Sequence, residues 1–308
     1  MCIRDRHKAN RNTIRERINL FFDKDSFQEF GMLSGQSSYK ETGELENFLP
    51  ANSIIGHGLV NQQSIAFYGD DFTVRGGAAD ASIWEKMVAA EKLANEYEIP
   101  LVRFIEGTGG GGSVKSLEEQ GSTYVPYNPG WHKVIENLSK IPVISLALGP
   151  VAGLGAARLV SSHYSIMVRK VSQIFVAGPP LVEKIGEKVT KEELGGSEVH
   201  GSNGVIDDVA ENEAEAMEMA KKFLSFMPSS IHYLPKKEIT KDLTFSNKTC
   251  RESFKTLLGN EVKLEGKNCV FTSGEEIISL AGIMGGESTC CSPKTRKVLV
   301  ECAYFNPE

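Results

Sequence analysis

The chain has 308 residues, 41% of them hydrophobic and 24% charged, an ordinary globular balance with room for one large domain or two smaller ones. No apolar run reaches the roughly 18 residues of a spanning helix, and a net charge of −6 exerts no global pull on nucleic acid, although a local basic patch would. The opening MCIRDRHKANRN has no apolar stretch of the kind a secretory signal carries. Residues 1–10 are expected to be a disordered, adaptor-like scar outside the fold, and the cytoplasm is the default location.

Along the chain, strands interleave with helices. NSIIGHGLVN and QSIAFYGDDFTV read as two short strands joined through Asn-Gln. ASIWEKMVAAEKLANEYE follows as a helix with Ile83, Met87, Ala90 and Leu93 on one face. IPLVRFIEG is a buried strand running into TGGGGSV, and the unit repeats as helix PGWHKVIENLSK, strand IPVISLALGPV, helix GLGAARLVSS and strands YSIMVRK and SQIFVAG. ENEAEAMEMAKKFLSFM closes the region as an amphipathic helix. This β-β-α rhythm, with glycine loops after the strands, predicts a mixed α/β domain with its site at the strand ends.

Cysteines and histidines are segregated. Apart from Cys2 the cysteines fall late, at Cys250, Cys269, Cys290, Cys291 and Cys302, whereas the histidines run from His7 to His232. The adjacent Cys290-Cys291 pair lacks the spacing of a zinc site, so free thiols and no metal are expected, with a change of domain near residue 236.

Three glycine clusters compete for chemistry: RGGAAD (75–80), GTGGGG (107–112) and GPVAGLGA (149–156). None matches a phosphate-binding G-x-x-x-x-G-K-[ST] loop, a G-x-S-x-G elbow or an H-E-x-x-H helix, and none carries a G-x-G-x-x-G dinucleotide fingerprint between a strand and a helix. What remains is a site of backbone donors suited to an anion or oxyanion. The plainer alternative is that the glycines only permit close helix–strand packing.

The segments RERINLFFDKDSFQEFG, GGAADASIWEKMVAAEKLA, GPVAGLGAA, SQIFVAGPPLVEKIGEKVTKEELGG and SEVHGSNGVIDDVAENEAEAM occur in that order. Together they resemble the amino-terminal half of the carboxyltransferase subunit of biotin-dependent acyl-CoA carboxylases, the propionyl-CoA and methylcrotonoyl-CoA group, over residues 11–236. The resemblance implies a crotonase-like spiral of β-β-α units that moves a carboxyl group from carboxybiotin to the α-carbon of an acyl-CoA. The biotin anion would take the α-proton, so the protein supplies positioning and oxyanion stabilisation.

On that resemblance, the backbone of Gly153 and Leu154 forms the oxyanion hole for the thioester enolate. Many relatives have a second glycine where this chain has Leu154, and a leucine there carries a conformational cost wherever φ must be positive. Gly76, Gly77 and Ala78 would contact the CoA thioester region or simply form a helix-entry turn, and Arg75 and Lys86 would meet CoA phosphates or remain surface charges. Gly109 and Gly110 belong to a loop that departs from the family pattern, so the acyl chain is not readable, and four glycines together also read as a mobile loop. His200 is expected to be a structural hydrogen-bonding residue.

The expected partners are the biotin carboxylase and biotin carrier components, the missing carboxy-terminal half with its biotin-side hole, and further copies of the chain, since the family oligomerises. Without that half, carboxyl transfer by this chain alone is not expected. A crotonase-like acyl-CoA decarboxylase or hydrolase, which needs only the CoA-side hole, stands as the alternative enzyme.

Beyond residue 237 the sequence turns to alternating β pattern with turns at LGNE and SGEE, then AGIMGGES and VLVECAYFNP. This stretch, 237–308, resembles part of the B3/B4 editing domain of the phenylalanyl-tRNA synthetase β subunit. The resemblance implies an editing-like pocket in which Gly285 leaves room for a substrate ring and Glu301 reads a hydroxyl; tRNA would be a partner only if the segment folds. His232 lies at the spacing of that pocket's histidine, which reads best as coincidence. Two partial families in one chain imply a fused coding sequence.

Overall fold

The computed structural model describes residues 2–78, 81, 83–107, 118, 121, 130–234, 244–249, 253–273, 276–295, 298 and 300. The chain divides into two units, Met1–Lys236 and Lys237–Glu308.

The first unit begins with two helices, α1 (Ile3–Lys8) and α2 (Ile14–Phe21). The segment expected to be a disordered scar is therefore helical, and its Arg6 is 1% exposed because Glu106 and the Asn12 carbonyl hold the guanidinium inside the domain. Thr13 starts α2 with a capping box: its hydroxyl accepts from the Glu16 amide while the Glu16 carboxylate accepts from the Thr13 amide.

Strand β1 (Gln28–Phe30) and the exposed hairpin β2 (Gly35–Tyr39) and β3 (Leu45–Pro50) precede a second hairpin, β4 (Ser53–Val60) and β5 (Gln63–Asp70). Asn61 and Gln62 join β4 to β5 with φ of 49° and 67°, both left-handed, as a tight turn matched to strand twist requires. Helix α3 (Trp84–Tyr97) then leads to β6 (Leu101–Gly107), and α4 (Trp131–Leu138) leads to β7 (Val143–Ala152). Helix α5 (Leu154–Val160) follows directly, then β8 (Tyr164–Val168), β9 (Gln173–Phe175) and three short helices, α6 (Pro179–Val182), α7 (Lys191–Gly195) and α8 (Ser197–Asn203). Strand β10 (Asp208–Ala210) and the amphipathic helix α9 (Glu213–Phe226) complete the unit.

The sheet runs β1-β4-β5-β6-β7-β8-β10, with β9 also paired to β7. The β1–β4 and β4–β5 pairs are antiparallel; the pairs from β5 onward are parallel. Parallel strands covered on both faces need continuous apolar runs, and VISLALG of β7 is buried throughout. One face packs Phe21, Phe22, Phe67 and Phe104 in edge-to-face contacts with centroids 5.1 to 5.4 Å apart, an arrangement that favours ring quadrupoles.

In the second unit, β11 (Thr244–Thr249), β14 (Lys267–Ser273), β15 (Glu276–Leu280) and β16 (Met284–Gly285) form an antiparallel sheet, and β12 (Ser253–Lys255) pairs with β13 (Glu261–Lys263). The β12–β13 connection falls at LGNE and the β14–β15 connection at SGEE. Phe254, Leu264, Val270 and Ile277 form its small core.

Candidate functional site

Gly77, Gly107 and Gly153, one from each glycine cluster, lie at neighbouring strand ends. Arg75–Gly77 is a single helical turn after β5, with φ of 53°, 60° and 68° at its three residues. A Cβ on Gly77 would lie 2.8 Å from the Glu106 carbonyl oxygen and 3.0 Å from the Gly107 Cα, so this turn packs backbone to backbone against the end of β6. Gly107 in turn pairs with Val151 of β7, two residues before Gly153. Thus the β5 turn, the start of GTGGGG and the VAGLG turn occupy neighbouring strand ends, where open α/β sheets bind their ligands.

Gly153 has φ 58° and ψ −124°, a conformation open to glycine alone, and its N–H donates to the Phe175 carbonyl of β9 at 3.2 Å. That bond removes Gly153 as an outward donor. Leu154 is the first helical residue and is not among the positive-φ residues, so leucine is accommodated there without strain. Its amide has no acceptor within its own helix. We expect Gly153→Ala to lower stability by about 1–3 kcal/mol. Urea unfolding checks this, and an unchanged midpoint would show that the turn relaxes freely.

Two buried charge networks support these strand ends, one on each face of β6, since Arg103 and Glu106 lie an odd number of residues apart. On one face Glu106, 0% exposed, accepts from Arg6 at 2.9 and 3.0 Å and from Arg17 at 2.7 Å. Arg17 also donates to the Leu148 carbonyl at 2.9 Å and to Glu213 at 2.5 Å. The Glu106 carboxylate fills the space beside Gly149, where a Cβ would lie 2.4 Å from Oε1.

On the other face Arg103 donates twice to Glu91, both at 2.9 Å, and Glu91 also accepts from Arg158 at 3.2 Å and Asn137 at 3.0 Å. The Arg158 guanidinium lies 4.1 Å from the centroid of the Tyr68 ring. The Tyr68 hydroxyl donates to Asp70 at 2.5 Å, and the Glu106 amide donates to the same carboxylate at 2.9 Å, which ties the networks together. Burial pushes Asp70 up to about 6 despite those two bonds and the Arg158 charge. Periodicity missed these residues; the available signal was a strand, LVRFIEG, too apolar to be exposed yet carrying two charges.

The structure moves other expected residues. Lys86 is buried, its ammonium donating to the Ser53 carbonyl at 2.6 Å and its pKa lowered by that burial, so it faces the core instead of a solvent-borne phosphate. Arg75 stays exposed, and the Gly77 and Ala78 amides donate within their own turn to Val74 and Arg75. Gly109, Gly110 and Glu301 lie outside the described residues. A Cβ on Gly285 would meet Leu257 Cδ1 at 2.9 Å. His200 bonds the Ile174 carbonyl at 2.8 Å, and His232 lies 3.3 Å from Glu98. Among the described residues Cys2, Cys269, Cys290 and Cys291 are free, no group of three His, Cys, Asp or Glu side chains could hold a metal ion, and no helix is long and apolar enough to cross a membrane.

The carboxyl transferase domain family matches residues 5–253. The chain belongs to that family. A second family, the B3/4 domain, matches residues 223–308, so two families meet in one chain. The carboxyltransferase subunit of propionyl-CoA carboxylase from Haloferax mediterranei is 29% identical over 231 residues, covering 74% of this chain and 44% of that protein. The methylmalonyl-CoA decarboxylase subunit alpha of Veillonella parvula shows the same identity and coverage. Among solved structures, transcarboxylase 12S, described as a hexamer with hydrolysed methylmalonyl-coenzyme A bound, superposes with a TM-score of 0.64 at 25% identity, covering 81% of this chain and 48% of that one. The fold is accordingly the crotonase-like one of carboxyltransferases, and this family member spans less than half the length of the curated relatives it matches.

Proposed function

We propose that residues 11–236 are the acyl-CoA-binding half of a biotin-dependent carboxyltransferase. The observation that supports this best is the convergence of the glycine turns at Gly77, Gly107 and Gly153 on neighbouring strand ends. In this reading the Leu154 amide faces the thioester oxygen, and Arg75 is the exposed cation nearest the convergent turns in sequence. Gly109 and Gly110 remain part of the proposed CoA contact. Gly153 serves by shaping the turn, because its own N–H is engaged.

Carboxybiotin would supply the carboxyl group and, after its release, the base for the α-proton. The residues of this half bind and orient the acyl-CoA and stabilise enolate charge; a preorganised donor is typically worth about 3–4 kcal/mol there. Biotin enters on a carrier, and its own binding turn belongs to the half of the relatives that this chain does not span. Biotin carboxylase and carrier components, together with other copies of the chain, complete the assembly in this reading. Residues 237–308 lie within the B3/4 domain match, and the acyl-CoA reading assigns them no role.

Calorimetric titration of the full chain with propionyl-CoA and with free CoA tests the proposal. Binding of both, with the thioester tighter, is expected, and no carboxylation of propionyl-CoA from carboxybiotin without a partner. Affinity for propionyl-CoA weaker than about 1 mM would overturn it. Turnover of malonyl-CoA or methylmalonyl-CoA without biotin would favour the decarboxylase alternative.

A further inference from the structure

We infer that Arg103 is the positioning residue of the thioester site: its buried guanidinium fixes the helix α5 that starts at the Gly153–Leu154 turn. The inference rests on the acyl-CoA reading above. Arg103 is 0% exposed, and one of its terminal nitrogens donates to the carbonyls of Arg158 at 3.1 Å and Ser161 at 2.8 Å. Those carbonyls end α5 and have no donors left within the helix. The remaining nitrogens hold Glu91 as a fork at 2.9 Å each, and Glu91 draws in Arg158 from α5 and Asn137 from α4.

Helix α5 has 7 residues, about 10 Å of helix, so a slide at its carboxyl end is carried to the turn at its start. Leu159 already packs the helix against apolar neighbours, which resist separation but not sliding. Directional bonds from a rigid fork resist sliding, which explains why a fully buried strand position carries a guanidinium. Arg103 touches no substrate in this reading; it acts through the helix.

The experiment compares the full chain with Arg103→Lys, using propionyl-CoA labelled with carbon-13 at the thioester carbonyl, and free CoA as the probe that lacks that carbonyl. Lysine keeps the charge but cannot reach Glu91 and both carbonyls together. The variant is expected to bind free CoA within about twofold of wild type, while its preference for propionyl-CoA over CoA falls about tenfold, the equivalent of one lost hydrogen bond. The downfield shift of the bound carbonyl should return toward the free value. Should Arg103→Lys fail to fold, the pair Arg103→Met with Glu91→Met removes one charge of each sign and is expected to give the same loss of preference.

Each outcome decides. A wild-type chain that binds neither ligand overturns the acyl-CoA reading and this inference with it. A wild type that shifts the carbonyl, with a variant that shifts it equally, overturns the inference alone. Equal losses of CoA and propionyl-CoA affinity mean that Arg103 is only structural, which also overturns it.

Discussion

Replacing Glu106 by glutamine is expected to lower the stability of the Met1–Lys236 unit by about 3–5 kcal/mol, the cost of breaking a buried ion network by removing one partner. Glu106 is the acceptor shared by Arg6 and Arg17, and both guanidiniums are 1% exposed. Glutamine would keep one carbonyl oxygen for the guanidiniums, Arg17 would keep Glu213, and Arg6 would keep the Asn12 carbonyl. Glutamine also points an amide N–H where a guanidinium N–H already lies, so one donor is left buried without an acceptor. Both tryptophans, Trp84 and Trp131, lie in this unit, so their fluorescence in a urea titration reports on it without contribution from the second unit. A loss below about 1 kcal/mol would show that the network is dispensable.

The same network marks where sequence reading ran out. The β4–β5 hairpin was legible because Asn-Gln sits between two alternating runs, and the buried strands β6 and β7 because their apolar runs are uninterrupted enough to be covered on both faces. Helix α3 was legible as a helix, yet its buried face includes Lys86, Glu91 and Asn95 beside Met87, Ala90 and Ala94. Hydrophobic periodicity counts such residues as solvent-facing, and only the pairing of β6 with α3 and α5 brings Arg103 to Glu91. Likewise each glycine cluster was visible alone. Their convergence depends on which strands are neighbours, information that spacing along the chain does not hold.

The Asp70→Asn variant is expected to be more stable than the wild type above pH 6, by up to about 3 kcal/mol, and to match it below pH 4. Burial raises the Asp70 carboxyl from its ordinary 3.8 to about 6, outweighing the Tyr68 and Glu106 hydrogen bonds and the Arg158 charge that favour the ionised form. The folded state therefore holds this proton more tightly than the unfolded chain. The added stability is fully present below the unfolded value and is lost as pH rises through about 6. Asparagine reproduces the protonated acid: its oxygen accepts from the Glu106 amide, and its N–H₂ donates to the Tyr68 oxygen, where the acid would place its proton. Unfolding free energies of both proteins at several pH values between 4 and 8, read by tryptophan fluorescence, give the difference directly. It should be near zero at the acid end and grow to a plateau above pH 6. A difference that stays flat, or that shrinks as pH rises, would mean that Asp70 is ionised throughout and that Arg158 and the two hydrogen bonds outweigh burial. The position of Asp70 gives the result a functional reach, because it closes β5 ahead of the Asp71–Val74 link to the Arg75–Gly77 turn and shares its carboxylate with the β6 strand end against which that turn packs. If the acyl-CoA reading proposed above holds, ionisation next to the β6 strand end makes the pH window that sets stability also the one in which acyl-CoA affinity falls, as calorimetric titration across pH 5–8 would show.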